Sequence, residues 1–387
     1  MTVPNTPDYN AMSDGAFRRE MRTFFEQNYP ENLRFMPRRV RWSEIAGWWR
    51  TLYEKGWIAP NWPREWGGME LEAGKMVIFL EEMERHGVAR PPDQGITQVG
   101  PIIMNFGTEA QKQFYLPRTL LGEIIWCQGY SEPNAGSDLA SLQTSAVRDG
   151  GHYVVNGQKI WTTLAHDATH IYLLARTDRQ AKKQEGISFF LVDLRTPGII
   201  IRPIRNIAGH EEFCQVFFDN VRVPADTLVG KLNQGWTVAK ALLSFERLNI
   251  GSPRRPQYAL QRLEMLARAK GLFDDPGFVD RFAALKLDLE DLASLYGRYV
   301  EQVKRGEPLG QDVSTLKIWA METWQRLTDL LVETGAEEGV VSGIHDIAGV
   351  ATDFLSPFYY ARPGTIYGGS SEIQRNILAK YVLKLPS

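Results

Sequence analysis

The chain has 387 residues, of which 43% are hydrophobic and 23% charged, and its formal net charge is −2. That length exceeds one compact core and predicts two or three units, while the near-neutral balance excludes recognition of nucleic acid or an anionic membrane through bulk charge. No apolar run approaches the ~20 residues needed to cross a bilayer, no export signal opens the chain, and Cys127 and Cys214 are too few for a disulfide framework. The expected location is the cytoplasm.

The N-terminal part, 1–124, reads as helix. "SDGAFRREMRTFFEQNY" opens with Ser13 and Asp14 as cap candidates and repeats apolar residues at helical spacing. "SEIAGWWRTLYEKG" starts at Ser43 and stops at Gly56, and "EAGKMVIFLEEMERHG" stops at Gly87. "GTEAQKQFYLPRTLLGE" predicts a fourth helix, interrupted near Pro117.

The period then changes. From 125 to 230 the runs "HYVVNGQKIWTT", "HIYLLART", "ISFFLVDL", "IIIRPI" and "CQVFFDNVRV" are short and rich in β-branched and aromatic residues. Asp149-Gly150 and Asn156-Gly157 are tight-turn signals. Strands without intervening helices predict an antiparallel β-barrel or sandwich. From 231 to 387 helix returns, over 237–271, 277–304, 311–343 and 371–384, with the sharpest break at Pro276; long helices suit a four-helix bundle. The expected class is therefore α+β, mainly α, in the order helical domain, β domain, helical bundle.

Two stretches carry chemistry. "WCQGYSEPNAGSDLAS", Trp126 to Ser141, is a strand end running into a loop of small residues whose N–H groups could face an anion. An ordinary connection between elements reads the same way. "NGQKIWTTLA" puts Trp161 on a strand, where core packing is the ordinary role of a tryptophan. His166 and His170 are spaced i, i+4 without an apparent third ligand, so no metal site is expected.

Together with "NFGTEAQKQFYLPRTLLGE", "FFDNVRVPADTLVG" and "IYGGSSEIQRNIL", these stretches resemble the acyl-CoA dehydrogenase family over nearly the whole chain, in the right order. The resemblance implies non-covalent FAD, an acyl-CoA substrate and α,β-dehydrogenation, with an electron-transferring flavoprotein as the electron acceptor. By matched position, Gln128, Tyr130, Ser131, Gly136 and Ser137 would line the flavin. Ser131 would bond near ring nitrogen N5, Trp161 would pack beside the ring and Thr163 would bond its edge. Ser370 and Glu372 would touch the adenosine-diphosphate portion. Ser137, Arg247, Gly368, Gly369 and Lys380 would contact the thioester substrate.

The resemblance also locates the base. In the medium-chain type a Glu stands between the Tyr and Gly of the C-terminal loop; here that position is Gly368. The isovaleryl type takes its Glu from an "LERL" helix, and "LLSFERLNI" puts Glu246 at that place. Ala239, Leu243 and Ile250 lie at i−7, i−3 and i+4, a partly apolar stripe that would raise a carboxylate pKa. Without the resemblance, a solvated Glu beside Arg247 is the ordinary reading. Gly368 and Gly369 would keep N–H donors for the thioester carbonyl.

Two departures bear on FAD. The Arg that in many members crosses to a neighbour's diphosphate has no clear equivalent in "ARAKGLFDDPGFVDRF". "VETGAEEGVVSG" replaces a Gln- and Gly-rich motif and brings in Glu337 and Glu338. The expected assembly is a homo-oligomer (dimer or tetramer), or a heterotetramer with a related subunit as in the branch acting on steroid side-chain thioesters. Two alternatives remain open: a non-catalytic subunit completing a partner's FAD site, or another flavin chemistry (oxidase, desulfinase) on the same scaffold.

Overall fold

The computed structural model describes residues 7–36, 38–245 and 247–386. The chain divides into two compact units, Met1–Ser244 and Phe245–Ser387. The first begins with helices α1 (Asp14–Asn28), α2 (Trp42–Lys55), α3 (Ala73–Arg85), α4 (Gly100–Phe106) and α5 (Glu109–Leu120). Ser13 caps α1 by accepting the Ala16 N–H at 3.3 Å, and Phe17, Met21 and Phe25 form its buried stripe. Helix α2 starts one residue before the expected Ser43. Asp167 accepts the Trp42 N–H at 2.9 Å and is gripped by both ends of the Arg41 guanidinium, at 2.7 and 2.6 Å.

Two local expectations fail here for identifiable reasons. Pro117 lies inside α5 and does not break it. The turn beyond it is held by burial of Leu116 and Leu120 and by Trp49 Nε1 donating to the Leu120 carbonyl at 2.9 Å. Helix α4 has no counterpart in the sequence reading. Its first glycine packs so tightly on Trp62 that a Cβ at Gly100 would come within 2.1 Å of the indole.

The sheet comprises β1 (Trp126–Gly129), β2 (Ser145–Asp149), β3 (His152–Thr163), β4 (His170–Arg176), β5 (Ile187–Asp193), β6 (Ile199–Ile204), β7 (Phe213–Pro224) and β8 (Leu228–Val229). Its order is β6-β7-β3-β2-β4-β5-β8, with β1 parallel to β4, so it does not close into a barrel. One residue pair, Ser145 with Arg176, joins its two halves. Strand β4 is buried throughout because its alternate residues serve different cores. Tyr172 and Leu174 pack with the helices, while Ile171, Leu173 and Ala175 pack with Val216, Phe218 and Val221 of β7.

The Asp149-Gly150 signal makes the β2–β3 hairpin, but Asn156-Gly157 does not turn. It sits within β3 at a register shift against β7, where Asn156 Oδ1 accepts the Asn220 N–H at 2.8 Å. Gly157 is needed because its φ is 148° and a Cβ would lie 2.6 Å from the Thr144 backbone.

After α6 (Gly235–Phe245), the second unit contains α7 (Arg247–Ile250), α8 (Arg254–Ala269), α9 (Pro276–Lys304), α10 (Ser314–Gly335), the hairpin β9 (Ile344–Ile347) and β10 (Val350–Asp353), α11 (Leu355–Ala361) and α12 (Ser371–Ile377). Helix α10 is the hub, packed by α8, α9, α11 and α12. The expected 237–271 helix is divided at Gly251–Pro253, and the expected 311–343 helix ends at Gly335. Gly335 lies against the Phe354 ring and Ala336 takes φ 52°, which turns the chain into the hairpin. Among the described residues no helix is long and apolar enough to cross a membrane.

A charge cluster ties α1 to α3. Glu82, with 1% of its side chain exposed, accepts from Arg18, Arg22 and Arg85 at 2.9–3.0 Å. Burial raises its pKa, but the three guanidiniums outweigh burial and hold it at about 2. Because the folded value lies below the unfolded value near 4.5, the stabilisation is complete above 4.5 and fades as pH falls through about 2. Glu82→Gln should lower urea stability at pH 7 by about 2 kcal/mol. The gap from the unaltered protein should narrow as acid is added.

Candidate active site

The loop after β1 is built around a buried charge pair. Lys159, fully buried on β3, donates to Glu132 Oε1 at 2.8 Å and to the Tyr130 carbonyl at 3.0 Å. Glu132 also accepts the N–H groups of Gln143 at 2.6 Å and Thr144 at 2.9 Å. Burial opposes its ionisation, yet Lys159 and these donors keep the carboxyl below its ordinary value. Burial lowers the Lys159 ammonium to about 8, so both groups are charged at neutral pH. The Ile160 N–H donates to the Ser131 carbonyl at 2.9 Å, and Glu132 and Ala135 exchange backbone bonds at 3.0 Å. The backbone is thus fixed on both sides of Ser131. Further along, buried Arg176 bonds the carbonyls of Ala140 and Leu142, at 2.7 and 3.1 Å.

Strand β3 reaches the same loop from the other side. Between the pairs Lys159–Val216 and Thr162–Cys214, Ile160 and Trp161 stand opposite the single residue Gln215. This bulge puts Trp161 at φ 61°, a conformation that costs an L-residue about 1 kcal/mol. Its indole is 57% exposed, touching Phe213 edge-on at 6.0 Å. Trp161 is therefore not a core residue. Thr162 turns into the core, while Thr163 beside it is half-buried. Among the described residues, no hydrogen-bond partner within the chain is found for the side chains of Gln128, Ser131, Ser137 or Thr163. A Cβ at Gly136 would meet nothing within 4 Å. A strained, uncovered indole beside available hydroxyls and an amide suits a planar polar-edged ligand.

The second unit holds the other predicted residues. Gly368 and Gly369 take φ 62° and 79°, and a Cβ at Gly368 would lie 2.8 Å from Ile250 Cδ1. Gln374 Nε2 donates to the Gly368 carbonyl at 3.1 Å, and Ser370 caps α12 by accepting the Ile373 N–H at 3.3 Å. Glu372 is exposed in the first turn, and Lys380 is exposed 5.5 Å from the Tyr381 ring. Glu337 and Glu338 are exposed just beyond α10. Glu246 and the Arg247 side chain lie outside the described residues.

Sequence reasoning assigned no role to Glu132, Lys159 or Arg176, although the first two stand inside the quoted motifs. The histidines go to local partners. His166 Nδ1 is 2.9 Å from Cys214 Sγ, and His170, which burial brings to about 4, bonds Thr169.

Residues 13–123, 127–221 and 233–383 match, in turn, the N-terminal, middle and C-terminal domains of acyl-CoA dehydrogenases. Acyl-CoA dehydrogenase IpdE1 of Mycobacterium tuberculosis is 40% identical over 356 residues, 89% of each chain. The solved Tcur3481-Tcur3483 steroid ACAD superposes with a TM-score of 0.87 at 29% identity, covering 96% of this chain and 97% of that one. The ChsE4-ChsE5 complex from Mycobacterium tuberculosis gives 0.81 at 29% identity, with both chains fully covered. The chain belongs to the acyl-CoA dehydrogenase family, and it is an oxidoreductase acting on acyl-CoA thioesters.

The charge pair makes a measurable claim about the loop. Lys159→Met and Glu132→Gln should each destabilise the protein by about 3 kcal/mol, since each strands the partner's buried polarity. The double variant should recover part of that loss. A double-mutant cycle in urea should give a coupling of about 2 kcal/mol.

Proposed function

We propose that the chain binds FAD non-covalently and dehydrogenates an acyl-CoA thioester at its α,β bond, with Glu246 as the base. The residues fit the cofactor by their chemistry: Trp161 offers an uncovered aromatic face, and Ser131, Thr163 and Gln128 offer polar groups for the edge of a flavin ring. Tyr130, Gly136 and Ser137 continue that lining, and Ser370 and Glu372 contact the adenosine-diphosphate portion. When bound, FAD supplies the acceptor for the hydride leaving the β carbon. Glu246 takes the α proton, and the electrons of that bond form the new double bond. The N–H groups of Gly368 and Gly369 donate to the thioester oxygen, which lowers the acidity barrier at the α carbon. Ser137, Arg247 and Lys380 hold the CoA thioester.

One observation carries the assignment of the base. The loop has no side chain at Gly368, and a Cβ there would lie 2.8 Å from Ile250 Cδ1, so that methyl would have to shift. Position 368 offers no carboxylate, and Glu246 stands four residues before Ile250 in the sequence. We take the base from that segment.

The substrate we infer is a bulky, steroid-derived acyl group, supported by the likeness to the Tcur3481-Tcur3483 steroid ACAD. An electron-transferring flavoprotein is the proposed oxidant. We infer an interface with a second subunit, taken to be a related partner chain, and the segment after α10 supports an interface there, since Val340, Val341 and Ile344 are 68%, 49% and 74% exposed. A cytoplasmic location agrees with Cys127 and Cys214 being buried free thiols. The proposed divisions are 1–124, 125–230 and 231–387.

Glu246→Gln should lower turnover by about a thousandfold or more, with FAD content and thioester affinity little changed. Unchanged turnover would refute the base. If the chain purified alone as a homo-oligomer with one FAD on each subunit, the mixed assembly would be excluded.

A further inference from the structure

The carbonyls of the Gly368–Gly369 loop are each taken by a buried side chain. Gln374, 6% exposed, donates to Gly368, and Lys317 of α10, 3% exposed, donates from Nζ to the Gly369 carbonyl at 2.8 Å. Because the N–H and C=O of one peptide point in opposite directions, the Gly369 N–H is turned away from Gln374 of α12 and the Ser370 N–H away from Lys317 of α10. Gly251 packs tightly on this turn of α10: a Cβ there would lie 2.5 Å from Leu316 Cβ and 3.2 Å from the Lys317 backbone nitrogen.

The charge on Lys317 is what needs explaining. Among the described residues no carboxylate is ion-paired with it; Glu322, one turn on, is committed to Arg375 at 2.8 and 3.0 Å. Burial lowers its pKa to about 8, with Glu372 and Glu322 opposing from a distance, so it stays protonated at neutral pH. A methionine or leucine would fill the same space without the penalty of a buried unpaired ammonium. Holding one neutral carbonyl does not require a full charge. A ligand that becomes negative at the other face of the loop does.

We propose that Lys317 is a positioning residue for the thioester: through the Gly369 carbonyl it holds the end of the Gly368–Gly369 loop, and it places a fixed positive charge behind the point where the thioester oxygen becomes an enolate. This rests on the reading of the loop as the thioester-oxygen site. The ammonium touches neither the substrate nor the reacting atoms, and acts through the Gly369 carbonyl.

The test uses FAD-loaded protein and acetoacetyl-CoA, whose acidic α carbon ionises without being dehydrogenated and whose bound enolate gives a long-wavelength charge-transfer band with oxidised flavin. The unaltered protein should show that band. Its absence at saturating thioester would overturn the thioester reading of the loop, and this inference with it. In Lys317→Met the band at fixed pH should fall about tenfold or more relative to bound flavin. Lys317→Arg, which keeps the charge, should retain most of it, and Lys317→Gln, which keeps only a donor, should fall between. A Lys317→Met protein with an undiminished band would overturn the proposal. So would a series in which band and FAD content decline in parallel, because that is the signature of a purely structural lysine.

Discussion

The ion pair between Lys159 and Glu132 is the constraint on which the candidate site of the first unit depends. It lies where water cannot screen it, and it joins two segments that backbone pairing alone would leave free to slide: the loop after β1 and the bulged end of β3. With Glu132 saturated by Lys159 and two backbone N–H groups, the loop has one conformation available at Ser131. The strain at Trp161 is tolerable only because its neighbours on both sides are held, Lys159 by this pair and Thr162 by burial. Stability is thus spent on presenting an indole and several hydroxyls at fixed positions.

The second unit solves a related problem with glycines. The loop at Gly368 and Gly369 consists of two residues in left-handed conformations, with Ile250 Cδ1 on one side and tethered by Gln374 and Lys317. The proposed base on the neighbouring segment and the proposed role of Lys317 beneath the loop both follow from a loop that carries no side chain of its own at Gly368.

Much of this was legible in the sequence, and the remainder was hidden for physical reasons. The helix–β–helix order follows from the period of the apolar residues, and the five motifs identify the family. Asn156-Gly157 misled because a bulge and a turn ask the same thing of a glycine, a positive φ, and only the partner strand distinguishes them. The end of α10 was missed because Gly335 is shaped by Phe354, a residue 19 positions away in sequence and adjacent only after folding. Helix α4 depends on the Trp62 contact in the same way. Glu132 and Lys159 were visible as motif letters, but their partnership, 27 residues apart, appears only when the loop and strand meet. Trp161 was undecided between core and ligand until the bulge showed its ring uncovered.

The central claim is that this scaffold holds FAD and passes an acyl thioester's hydride to it. An anaerobic visible spectrum of the purified chain, before and after a panel of acyl-CoA thioesters including bulky ring-bearing ones, tests it most directly. The account predicts an oxidised flavin band at stoichiometric FAD that bleaches with one member of the panel. A protein that stays colourless when supplied with FAD, or whose flavin no thioester reduces, would contradict it.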